Sequence, residues 1–124
     1  MPVIRAAEAT VHQLHGATFT SYARPATGSA ELCGWRIEIP GKTEGTGHQV
    51  SREEVIYILS GAVTVTVDES PSQAAAGDVI VVPARSRLRI DNPASETLIA
   101  WVTTSVGFTG TMPDGSELTP PWTR

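Results

Sequence analysis

Glu54-Val55-Ile56-Tyr57-Ile58-Leu59-Ser60-Gly61-Ala62-Val63-Thr64-Val65-Thr66-Val67 decides the fold class of this chain. From Val63 to Val67, valine and threonine alternate, so the valines share one face of an extended strand and the threonines the other. Ser60-Gly61 separates that run from Glu54 to Leu59, which is rich in the β-branched and aromatic residues that favour strands. Strand, turn, strand is the local unit. Outward from it, turn formers recur at Pro25 to Ser29, Pro40 to Gly47, Asp68 to Ser72, Gly77 and Asp91 to Ser95. The expected strands are Thr18 to Tyr22, Glu31 to Ile39, Glu54 to Leu59, Val63 to Val67, Asp78 to Val82, Arg87 to Ile90 and Leu98 to Thr104. Val79-Ile80-Val81-Val82 is apolar on both faces, which predicts a strand covered on each side by a second layer or a second subunit. Only Ala6 to Leu14 could pass for a helix, and its apolar spacing is poor. From Gly107 the chain turns polar and ends in Pro120-Pro121-Trp122, read as a tail anchored by its tryptophan. The fold class is all-β, an antiparallel sandwich or barrel.

With 124 residues the chain suits one domain, with the barrel core expected over about 18–104 and the tail over 105–124. Lys and Arg number 9 against 13 Asp and Glu, a net charge of −4, so no overall positive field draws in nucleic acid or anionic lipid. No apolar run approaches the roughly 20 residues that cross a bilayer as a helix. Met1-Pro2-Val3-Ile4-Arg5 lacks the basic-then-apolar layout of a signal peptide, and the lone Cys33 cannot form an internal disulfide. A reduced, cytoplasmic protein is expected, with no nucleic-acid partner and no membrane.

Two segments carry the chemistry: Pro40 to Gly61, and Gly77-Asp78-Val79-Ile80-Val81-Val82-Pro83 running on to Asn92. Together they resemble the paired motifs of the cupin family, G(X)5HXH(X)3,4E(X)6G and G(X)5PXG(X)2H(X)3N. Glu54 is followed by six residues and then Gly61, Gly77 by five residues and then Pro83, and Asn92 falls in register. The resemblance implies a double-stranded β-helix, or jelly-roll, barrel. It also exposes departures. One register places His48 at the first metal-ligand position and Val50 at the second; the alternative, keeping five residues after Gly41, puts Gly47 and Gln49 there and turns His48 away. Arg85 stands at the glycine position of the second motif, and Leu88 at its histidine position. In the first register two of the family's four usual ligands are absent, whereas zinc or iron sites normally use three or four protein ligands. No metal and no other cofactor is therefore expected, and an organic ligand suits the apolar interior better than an ion.

Glu54 should point inward with Ile56 and Ile58, two and four residues on. Apolar surroundings there would raise its pKa toward neutrality, as a proton-transfer group needs. His48 could orient Glu54 or share its proton work, or else simply bond a loop carbonyl near Gly45-Thr46-Gly47. His12 and His15 have no partner motif and read as surface or strand histidines. Cys33, Trp35 and Ile37 share one face of the strand before the first motif, which the resemblance makes a cavity wall, together with Val50, Ile56 and Leu88. Trp35 and Trp101 are read as aromatic walls for a planar ligand. Arg85, Arg87 and Arg89 alternate with Leu88 and should face out, and Tyr57 should sit on an outer surface where cupin-like proteins join a second copy. A homodimer is expected.

Three functions follow as expectations. The first is a metal-independent enzyme of isomerase, cyclase or lyase type, in which Glu54 abstracts a proton and His48 returns one. The second is a non-catalytic binding or sensor module holding a small metabolite in the same cavity. The third is a metal-dependent oxygenase or isomerase with a makeshift site of His48, Glu54 and Gln49, Cys33 or water.

Overall fold

The computed structural model describes residues 3–124, so Met1 and Pro2 of the N-terminal stretch lie outside the described residues. Twelve strands are described: β1 (Thr10–Leu14), β2 (Ala17–Ala23), β3 (Leu32–Ile39), β4 (His48–Val50), β5 (Glu54–Ser60), β6 (Ala62–Val67), β7 (Ser70–Ala75), β8 (Val79–Val82), β9 (Arg87–Asp91), β10 (Leu98–Ser105), β11 (Gly110–Thr111) and β12 (Glu117–Leu118). They form two antiparallel six-stranded sheets, ordered β1-β2-β3-β10-β5-β8 and β12-β11-β4-β9-β6-β7. This all-β architecture agrees with the sequence expectation.

Alternation builds the core. Along β10 the burial pattern repeats every second residue, with Leu98, Ala100, Val102 and Thr104 inward. On β5, Glu54, Ile56 and Ile58 are buried while Val55, Tyr57 and Leu59 are exposed. Asn92 is fully buried and ties the sheets together: its Nδ2 donates to the carbonyls of Ile39 and Glu96 at 3.0 and 2.8 Å, and its Oδ1 accepts from the Ala94 amide. Those bonds satisfy a side chain that would otherwise weaken the core.

Several expectations need correction. Ala6 to Leu14 is not a helix: a one-turn 3₁₀ segment at Ala6–Glu8 precedes β1, which pairs with β2. His15 and Gly16 join those strands with φ of 51° and 80°, a two-residue turn with the twist that antiparallel strands require. Asp68 and Glu69 (φ 47° and 71°) do the same between β6 and β7, so Ser70 to Ser72 belongs to a strand rather than to a turn. Pro71 is tolerated because β7 is an edge strand. The barrel also extends beyond 18–104 at both ends, since β1 joins the first sheet, and β11 and β12 join the second. Residues expected as a tail thus supply sheet and core. Among the described residues, no helix is long and apolar enough to cross a membrane.

Candidate functional site

A cavity of about 140 Å³ lies between the sheets, with walls that are mostly apolar. β3 contributes Trp35 and Ile37 to it, β5 contributes Glu54 and Ile56, and β9 contributes Leu88. His48 lines it from the start of β4, where His48 and Val50 turn inward and Gln49 turns out to donate its amide to the Arg85 carbonyl at 2.9 Å. That burial pattern selects the register with His48, not Gln49, on the inner face. The loop before β4 approaches the barrel wall closely at Gly45, whose amide donates to Asp91 Oδ1 at 2.7 Å. A Cβ at position 45 would overlap the Ile90 carbonyl, so the close approach requires glycine.

Glu54 is the chemically distinctive wall residue. It is 4% exposed, and its Oε1 is buried without a hydrogen-bond partner. Burial pushes its carboxyl up to about 8, so at neutral pH it is mostly a neutral acid. His48 moves the other way: loss of solvent holds its imidazole below the ordinary 6.5, and the nearby His15 adds to that by charge repulsion. His48 Nδ1 lies 3.3 Å from the Thr46 carbonyl, which can only accept, so Nδ1 carries the proton and Nε2 keeps a free lone pair. These protonation states favour the opposite division of roles from the one expected. Glu54 is held in the form that donates a proton and His48 in the form that accepts one.

Three expected wall residues lie elsewhere. Trp101 is on the opposite face of β10 from Val102, packed over Gly34 and 5.7 Å from the Tyr22 ring, with its Nε1 donating to Thr103. Strand parity outweighs its aromatic character. Cys33 is fully buried under the C-terminal turn, where its thiol donates to the Thr123 carbonyl at 3.4 Å and burial raises its pKa. Val50 is fully buried beneath the cavity wall, and its backbone bonds Ser86 and Arg85. Arg85, Arg87 and Arg89 are exposed.

Among the wall residues that the sequence reading does not assign to the site are His15, Phe19, Phe108 and Trp122. His15 is exposed, as its sequence context suggests, and its tight turn also brings it to the rim of the cavity. Phe19 shares the inner face of β2 with Ala17 and Ser21, a signal present in the strand's alternation. Trp122 arrives from the last 3₁₀ turn (Pro121–Thr123), held by Ser21 Oγ donating to its carbonyl at 2.7 Å. No local pattern announces that placement.

The four positions at which the family's metal ligands fall hold His48, Val50, Glu54 and Leu88. Val50 and Leu88 have no donor atom in their side chains and are buried. Among the described residues, no group of three or more His, Cys, Asp and Glu could hold an ion. The donor set does not fit a metal held by three or four protein ligands.

Comparison with curated protein sequences finds no match. Among solved structures, the polyketide cyclase RemF from Streptomyces resistomycificus superposes with a TM-score of 0.75 at 13% identity, covering 85% of this chain and 79% of its own. An RmlC-like cupin from Shewanella frigidimarina gives 0.70 at 22% identity, with 82% and 86% covered. The Streptomyces nucleoside dehydratase Pac13 gives 0.69 at 17% identity, with 83% and 80% covered. These likenesses establish the jelly-roll barrel. A cupin domain profile matches residues 35–104, which run from the Trp35 wall through both motif segments to the end of β10. With more than half of its length matched and this barrel around the matched residues, the chain belongs to the cupin family.

Proposed function

We propose that the protein is a small-molecule enzyme that carries out isomerisation, cyclisation or elimination by proton transfer, without a metal, inside the barrel cavity. The observation that carries this reading is the pairing of a buried, uncompensated Glu54 carboxyl with a part-exposed His48 imidazole in one apolar cavity. His48 Nε2 takes a proton from a carbon beside a substrate carbonyl or leaving group, and Glu54 gives its proton to the oxygen that gains charge. The pair ends as imidazolium and carboxylate and resets by exchange with solvent at the mouth, where His48 is accessible. Paired acid and base of this kind contribute typically about 10² to 10⁴ in rate. The names of RemF and Pac13 as cyclase and dehydratase are compatible with such chemistry on this fold, although a fold hosts many activities.

The test is to incubate the protein with a metabolite extract and follow masses and retention times. One compound should be consumed, with a product of equal mass or lighter by one water, and His48→Ala and Glu54→Gln should each slow that loss at least 100-fold. Conversion unaffected by either substitution overturns the reading. So does a bound metabolite recovered unaltered after long incubation, the result that a carrier or sensor would give. The specific observation favouring that second reading is that no hydrogen bond links His48 to Glu54.

A further inference from the structure

Three hydrogen-bonding atoms on residues lining the cavity find no partner in the protein: Nε1 of Trp35, Nε1 of Trp122 and Oε1 of Glu54. An indole N–H can only donate. A carboxyl that keeps its proton also donates, and nothing in its surroundings compensates a negative charge on Glu54. Against these three, the free side-chain acceptor already described on the wall is the Nε2 lone pair of His48, so unpartnered donors outnumber it. Buried donors are nearly always paired in folded proteins, so a ligand that brings acceptor oxygens completes this wall.

The same wall is aromatic. Trp122 lies face to face with Phe19, with centroids 3.8 Å apart, and edge-on to Trp35 at 6.5 Å. Phe108 tilts against Trp35 at 6.5 Å. Flat rings gain from offset and edge-to-face contact with such surfaces beyond simple burial. Charge is disfavoured. Among the described residues that line the cavity there is no Lys or Arg, and the titratable groups facing it are Glu54, His48 and His15. An anion would enter without a fixed counter-charge, which desolvation penalises. Size narrows the choice further. The volume of about 140 Å³ is close to that of an engineered apolar cavity of about 150 Å³ in another protein, which holds one benzene.

We infer that the cavity takes an uncharged, flat, single-ring molecule carrying a carbonyl or similar acceptor oxygen directed at the donors of Trp35, Trp122 and Glu54, and that Trp122 sets the one-ring limit. The inference rests on the reading that this cavity is the ligand site, and it adds the chemical class of the ligand.

Four probes titrated into the full chain at pH 6.5, followed by calorimetry and ligand-observed NMR, test it without any turnover assay. Acetophenone, one neutral ring with an acceptor, should bind. Ethylbenzene, which lacks the acceptor, and benzoate, which is charged, should each bind at least tenfold more weakly. 2-Acetylnaphthalene should be excluded by the wild type and admitted by Trp122→Ala. Glu54→Leu should erase the preference for acetophenone over ethylbenzene. The wild-type series decides the question even if a variant fails to fold. Benzoate or ethylbenzene binding as tightly as acetophenone overturns the inference, as does equal binding of the two-ring ketone by the wild type, or no binding by any probe. Absence of turnover with the binding order intact sinks the enzymatic reading and leaves this one standing.

Discussion

Phe19 of β2 and Trp122 of the last turn stack with ring centroids 3.8 Å apart and planes 10° from parallel. The contact joins residues near opposite ends of the chain and closes one wall of the cavity. It is reinforced by backbone anchors from Ser21 and Cys33 to the same turn. The final residues are thus part of the barrel's core, not an appendage. Trp122→Ala should destabilise the fold by about 3 kcal/mol, at the lower end for buried Trp truncation because the side chain borders a cavity. Trp122→Phe, which keeps a ring against Phe19, should lose clearly less. Urea denaturation measures both. A change below about 0.5 kcal/mol for the alanine variant would mean that this turn is not seated on the barrel.

Arg85 shows how the sequence pattern and the backbone constrain each other. It stands where the second family motif has glycine, and it adopts φ of 70°, in the left-handed region that disfavours side chains. Its amide and carbonyl are both engaged, by the Val50 carbonyl at 2.7 Å and the Gln49 side chain at 2.9 Å, so the conformation is held in place. Arg85→Gly should relieve a strain of about 1–2 kcal/mol and lose part of that gain to a freer unfolded chain. A net stabilisation of about 0.5–1 kcal/mol in urea melts is the expected result. Destabilisation would show that the arginine side chain contributes more than the backbone strain removes.

Where pattern and parity speak together, the sequence is readable. β6 is legible almost residue for residue because Val63 and Val65, which are buried, alternate with Thr64 and Thr66. The spacing from Glu54 to Gly61 and from Gly77 to Asn92 locates the two strands that flank the cavity. Residue type without parity misleads. Trp101 reads as a cavity wall by its ring, yet it is one step out of phase with Val102, so it faces out. β1 and β7 are hidden for a different reason. Their hairpin turns use His15-Gly16 and Asp68-Glu69 instead of the Asn-Gly or Asp-Gly pairs that announce such turns. That Trp122 anchors the C-terminal segment is legible, but where it docks is not, because its position depends on contacts across nearly the whole chain.

Glu54 should also set a pH dependence of stability. The folded carboxyl keeps its proton up to about pH 8, whereas the unfolded one releases it near the ordinary 4.5. Between those values the folded state binds more protons, so stability is fully present below about pH 4.5 and falls as pH rises through 8. The slope attributable to this one group is at most about 1.4 kcal/mol per pH unit. Glu54→Gln keeps the shape and a donor but cannot ionise. Its stability relative to wild type should therefore rise by a few kcal/mol between pH 5 and pH 8.5, measured by urea melts across that range. A difference that stays flat would show that the carboxyl ionises in the folded protein without penalty, and with it would go Glu54's role as the acid.

The outer face of β5 and β8 leads to the last expectation, that two copies associate there. Tyr57 pairs with Val79 and Val55 with Val81 in adjacent register, and these four side chains are 39–56% exposed. Leu59 extends the row. β8 is the edge of its sheet, and its backbone there is free to pair with another strand. A contiguous apolar face at a sheet edge is an aggregation hazard unless something covers it, and a second copy covers it with an identical surface. We expect the wild type to run in light scattering at the mass of two chains. Val79→Lys with Val81→Lys should shift it to one chain while the far-UV circular dichroism stays unchanged, because Ile80 and Val82, not the two substituted valines, face the core. A wild type that remains at the mass of one chain at tens of micromolar would remove the dimer. The inner wall, with Glu54 and Ile56 facing the opposite way on the same strand, would be untouched by that result.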